Sequence, residues 1–134
     1  MELTCVRELK AELQRRQERL KNLREVATSV TVPRLDGLPR PNNLFSKPEK
    51  FMQLIIDEER ELARLQVELD ETATDLSKEI KKRVDDARQE TILILRYVGC
   101  LSFREVSRRT LYSVRNCLRL HNSGKSKFES RRYF

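Results

Sequence analysis

Residues 96–121 read RYVGCLSFREVSRRTLYSVRNCLRLH, and the fold of the chain turns on them. Ser102 and Glu105 stand three apart, as in a capping box, where each side chain satisfies a backbone N–H that a helix start leaves unpaired. A first helix is expected to follow. Ser113 comes after Leu111 and Tyr112 and is expected to cap a second helix at Val114. The apolar spacing agrees. Leu101, Val106, Cys117 and Leu120 can point inward while Arg104, Arg108, Arg109, Arg115 and Arg119 point out. Two short helices joined by a tight turn, the second one basic, make a helix-turn-helix. The partner expected of it is double-stranded DNA.

The same residues resemble region 4 of bacterial sigma factors. The matching string is Arg96, Tyr97, Gly99, Leu101, Ser102, Phe103, Glu105, Val106 and Ser107, then Tyr112, Ser113, Arg119, Leu120 and His121. With its long helical N-terminal part, the chain is similar to the small sigma-region-4-like regulators of phages and prophages, of the RinA/ArpU late-transcription type. The resemblance rests on these 26 residues and on layout elsewhere. It implies a transcription regulator, an activator of phage or prophage genes in a bacterial cytoplasm, with RNA polymerase as a second partner. Aligned to the family pattern, Val114, Arg115, Asn116 and Arg119 face outward and read bases. Arginine can grip guanine O6 and N7, asparagine can grip adenine N6 and N7, and Val114 can meet a thymine methyl. Arg104, Arg108 and Arg109 sit on the helix that crosses the backbone, and with Tyr112 and Ser113 they are phosphate candidates. The turn position usually held by glycine is Leu111, preceded by Thr110. Leucine does not easily take φ > 0, so a wider or shifted turn is expected.

Charge supports the same partner. The net charge is +7, but it is unevenly placed. Residues 91–134 hold ten basic and two acidic side chains, whereas residues 51–90 hold seven and twelve. Phosphate neutralisation calls for such an asymmetry; general basicity does not. Glu2, Arg7, Glu8 and Lys10 interrupt any leader-like apolar run. No stretch approaches the roughly 20 apolar residues that span a membrane, so no membrane partner is expected. Cys5, Cys100 and Cys117 are odd in number and far apart, and His121 is the only histidine. A zinc site or disulfide framework is therefore not expected, and a reducing cytoplasm is. Cys117 reads as a small core residue.

Only 6% of residues are aromatic and 37% are charged, which favours long solvated helices over a thick core. Over residues 3–30, Val6, Leu9, Leu13, Leu20, Leu23, Ala27 and Val30 form one stripe at spacings of three and four, broken at Arg16. Pro33, Pro39, Pro41 and Gly37 mark residues 31–45 as a linker. Ser46 and Glu49 form a second capping box, with Pro48 near the helix start it predicts. The stripe of that helix is Phe51, Ile55, Leu62, Leu65, Leu69, Ala73, Leu76, Ile80, Val84 and Ala87, broken at Glu58, and it is expected to reach about residue 90. Residues 91–98 are expected to pack on the helix-turn-helix, with Gly99 as a C-terminal cap. Residues 123–134 read as a flexible basic tail that offers Lys125 and Lys127 to phosphates.

The expectation is an all-α chain in three parts. Residues 1–90 form a helical hairpin or a coiled coil, residues 91–122 a small helix-turn-helix head, and residues 123–134 the tail. Two apolar stripes must be buried, either on each other or on a second copy, so a homo-oligomer through residues 3–90 is expected. More ordinary readings stand beside these. A basic helix is common on any surface. Tyr112 either donates to phosphate or packs at the turn, and His121 is a polar residue at a helix end. Consecutive side chains in Asp57–Glu61 point in different directions, so the run reads as a solvated face. No nucleophile, metal-ligand or phosphate-loop pattern occurs, so catalysis, cofactors and metals are not expected. Two other functions fit the same layout: a phage DNA-packaging recognition subunit, and a coiled-coil adaptor with a basic end.

Overall fold

The computed structural model describes residues 1–30 and 43–131. Residues 31–42 of the expected linker and residues 132–134 of the expected tail lie outside the described residues. Every regular element described is a helix: α1 (Cys5–Val30), α2 (Asn43–Arg83), α3 (Ala87–Leu93), α4 (Phe103–Thr110) and α5 (Val114–Ser130). The chain divides into two compact units, Ala11–Val67 and Met1–Lys10 with Glu68–Phe134. No helix among the described residues is long and apolar enough to cross a membrane.

Within Ala11–Val67, α1 and α2 form a hairpin, so the two stripes meet inside one chain. Leu13 and Leu20 of α1 and Ile55 and Leu65 of α2 are buried, each contributing about 1.5–3 kcal/mol over an exposed position. The residues that interrupt the two stripes meet each other. Arg16 Nη1 lies 3.4 Å from Glu58 Oε1, and Arg19 Nε lies 3.9 Å from the other carboxylate oxygen. Glu58 is only 7% exposed, an exception within Asp57–Glu61, where Asp57, Glu59 and Arg60 are exposed as a solvated face requires. A buried carboxylate has to be paired, and a charge in one seam needs the opposite charge in the other. Arg24 and Glu59 add an exposed pair at 2.7 Å. The start of α2 also differs from expectation. It lies at Asn43, so Ser46 sits inside the helix and not at its cap, and residues 43–45 belong to the first turn and not to the linker.

The other unit is built around α3. Leu93 and Tyr97 pack with Leu3, Val6, Leu76, Ile80, Val84 and Phe128. On the opposite side, Ile92 packs with Val106, Cys117 and Leu120, bordered by Leu95, Leu101, Phe103 and Tyr112. Both faces of this segment are buried, which is why residues 91–98 read as almost continuously apolar. α2 stops at Arg83, short of residue 90. Asp86 caps α3, its carboxylate accepting the N–H groups of Arg88 (2.9 Å) and Gln89 (3.4 Å), which hold its pKa below the usual value. Ala87, expected on the α2 stripe, is exposed in the first turn of α3.

α3 continues into a wider, π-type turn (Ile94–Val98) closed by Gly99 N–H to Ile94 C=O at 2.9 Å. Gly99 ends the helix as expected, but the left-handed residue is Cys100, with φ 56°. Glycine is needed at 99 for a close approach, since a Cβ there would stand 2.8 Å from the Leu95 carbonyl oxygen. The expected flexible tail is helical as far as Ser130. Phe128 is 2% exposed. A Cβ at Gly124 would stand 3.1 Å from Leu93 Cδ1, so this glycine, inside the stretch expected to be a tail, lets α5 lie close to α3.

Candidate nucleic-acid interface

The interface is built from α4, the turn at residues 111–113 and α5. Ser102 Oγ accepts the Glu105 N–H at 3.3 Å, and Ser113 Oγ accepts the Asn116 N–H at 3.1 Å. Both serine caps read from the sequence therefore form, while the return bond from the Glu105 side chain that a full capping box adds is not among those of the described residues. The turn between them is tight. Leu111 itself takes the left-handed conformation, φ 63° and ψ 12°, and its N–H reaches the Ser107 carbonyl at 2.9 Å. The expectation of a wider turn fails because neighbouring side chains hold this one. Thr110 Oγ1 donates to the Val106 carbonyl at 2.8 Å and accepts the Tyr112 N–H at 3.4 Å. Ser107 Oγ donates to the Tyr112 carbonyl at 2.5 Å. Leu111 is 90% exposed, so nothing inside the molecule rewards its side chain.

The turn sets the register of α5. Cys117, Leu120, His121, Gly124 and Phe128 face the core. Val114, Arg115 and Arg119 are exposed, as expected of base readers. Asn116 is half-buried on the flank, and its Oδ1 accepts Arg119 Nη2 at 2.9 Å and Nε at 3.3 Å. That contact holds the Arg119 guanidinium along the helix. Leu118, 39% exposed, occupies the outward row instead. Sequence reasoning missed it because an isolated leucine beside Cys117 and Leu120 looks like core. Its place one residue after buried Cys117 was the available signal.

Arg104, Arg108 and Arg109 are exposed on α4. Arg109 shares a surface groove with Arg88 and Thr91 of α3, two polar residues the sequence reading did not single out. Tyr112 is half-buried against the Ile92 cluster, so packing at the turn describes it. Ser113 is committed to its cap. Lys125 is exposed, whereas Lys127 Nζ lies 3.2 Å from Asp85, with Arg131 3.6 Å from the same carboxylate. The Lys127 hydrogen bond is the main reason the Asp85 pKa is lowered. Lys127 thus fastens the end of α5 and does not hang in a tail. With a rise of about 1.5 Å per residue, it also lies about 18 Å along the helix from Arg115.

Two residues of the quoted string organise this head from within. Arg96 donates to the Leu101 carbonyl at 2.7 Å and lies over the Phe103 ring at 4.6 Å, tying α3 to the start of α4. His121 is 8% exposed in the middle of α5, not at a helix end. Its Nδ1 lies 3.1 Å from Asn122 Oδ1 and its Nε2 lies 2.7 Å from the Tyr97 hydroxyl. Since Asn122 Oδ1 can only accept, the neutral ring accepts the tyrosine proton at Nε2. Burial lowers the His121 pKa, and Lys125, Arg96 and Arg7 act in the same direction. Comparison of the chain with protein-family models, curated proteins and solved structures gives no match in any of the three.

Proposed function

We propose that this chain is a sequence-specific DNA-binding transcription regulator that reads the major groove with α5. The observation that carries the reading is the capped α4–turn–α5 segment. It presents Arg115 and Arg119 on one outward row, one helical turn apart, with Arg104, Arg108 and Arg109 exposed on the preceding helix. An α-helix fits the major groove, the arginine pair suits guanine edges, and the α4 arginines suit phosphates. Activation of phage or prophage genes and contact with RNA polymerase are carried by the sigma-factor resemblance alone. Self-association through residues 3–90 stays part of the proposal on a changed basis. The α1 and α2 stripes already cover each other, so a second copy would use exposed Met52, Ile56 and Val67 of α2.

The test is selection of duplexes from a random pool by the full chain. Enrichment of one short motif supports the proposal. Failure to retain any duplex at low salt overturns it and favours the adaptor. Mapping the motif to promoters or to a packaging site separates regulator from packaging subunit.

A further inference from the structure

α5 carries two parallel outward rows: the cationic pair Arg115 and Arg119, and beside it the apolar pair Val114 and Leu118. Val114 is 42% and Leu118 39% exposed. Each pair is spaced i, i+4, which sets its side chains about 5–6 Å apart. Core packing does not account for the apolar pair, because the buried side of α5 is occupied by Cys117, Leu120, His121, Gly124 and Phe128. An exposed apolar row is an ordinary protein-docking feature. Here, however, Arg115 and Arg119 stand beside it on the same helix, and Arg104, Arg108 and Arg109 are exposed on the preceding one. That setting suits an acidic polymer carrying apolar groups on an otherwise polar surface. In a DNA major groove the apolar group on offer is the thymine 5-methyl.

We infer that Leu118 is a second thymine reader, acting with Val114, so that α5 selects two thymines by their methyl groups while Arg115 and Arg119 grip neighbouring base edges. The separation fits: 5–6 Å between side chains approaches two base steps of about 3.4 Å each. The inference rests on the reading of α5 as a groove-binding helix and adds a base class to it. Shielding one methyl from water is worth about a three- to fivefold change in affinity.

The experiment uses the duplex selected by the full chain, with each thymine replaced in turn by deoxyuridine, which removes only the methyl. Binding is read by fluorescence anisotropy. Two positions should each lose about three- to fivefold. Leu118→Ala should abolish the uracil penalty at one of them and Val114→Ala at the other, while Arg115→Ala keeps both. Circular dichroism should show both apolar variants fully helical, since neither side chain is buried. Uracil without effect, or a Leu118→Ala protein that still feels both methyls, overturns the inference while DNA binding stands. A chain that retains no duplex removes the groove reading itself, and this inference with it.

Discussion

Leu111 and Gly99 show how a residue's type and its backbone role can part company. At Leu111 a leucine holds φ 63°, a conformation that costs an L-residue about 1–2 kcal/mol and glycine little. Its side chain is 90% exposed, so truncation removes no internal contact. Leu111→Gly should therefore raise the unfolding free energy by about 1 kcal/mol, measured by urea denaturation; a loss would show that the side chain has an internal partner. The sequence showed that position 111 lacked glycine, but not that Thr110 and Ser107 would hold the turn closed. His121 was legible only as a polar letter, because its burial depends on Tyr97, 24 residues away. Its lowered pKa fixes a sign. The unfolded chain binds the proton more tightly, so the His121 contribution is complete above the ordinary histidine pKa of about 6.5 and is lost as pH falls through the lower folded value. Wild type should lose stability between pH 7 and 5 more steeply than His121→Gln. Equal slopes would place the acid sensitivity elsewhere.

At the scale of elements, starts were more legible than ends. Ser102 and Ser113 announced α4 and α5 because a cap is local chemistry, carried by three or four adjacent residues. The far end of α5 was hidden because Gly124, Ser123 and Ser126 have weak helix propensity, and close packing on α3 overrides it. The buried sequence Cys117, Leu120, Gly124, Phe128 was nonetheless a helical stripe, disguised by a glycine. Phe128→Ala should destabilise the protein by about 3–5 kcal/mol in denaturant, where a side chain in a free tail would cost nothing. The hairpin gives a second case. Each stripe showed its own interruption, but a single stripe cannot reveal that Arg16 and Glu58 face each other. Arg16→Ala leaves the Glu58 carboxylate with the more distant Arg19 and should cost about 1–3 kcal/mol. Arg16→Leu with Glu58→Leu should recover most of that loss. A double variant as unstable as Arg16→Ala would mean that the pair is not coupled.

On the scale of the whole molecule, charge is the most legible property, since it needs no fold to be counted. Residues 91–134 hold ten of the 28 basic side chains and only two of the 21 acidic ones. The fold then sorts those charges. Arg96 is spent on the Leu101 carbonyl and the Phe103 ring, and Lys127 and Arg131 on Asp85. Arg104, Arg108, Arg109, Arg115 and Arg119 remain exposed on the head. That division bears directly on the claim that α4 and α5 bind DNA. The decisive measurement is the affinity of the full chain for duplex DNA across a salt series, repeated with Arg108 and Arg109 both changed to Ala. Contact with about five phosphates predicts that log affinity falls against log salt with a slope of about −4.5, made shallower by nearly two in the double variant. A flat dependence, or a slope unchanged by losing both arginines, would contradict the account.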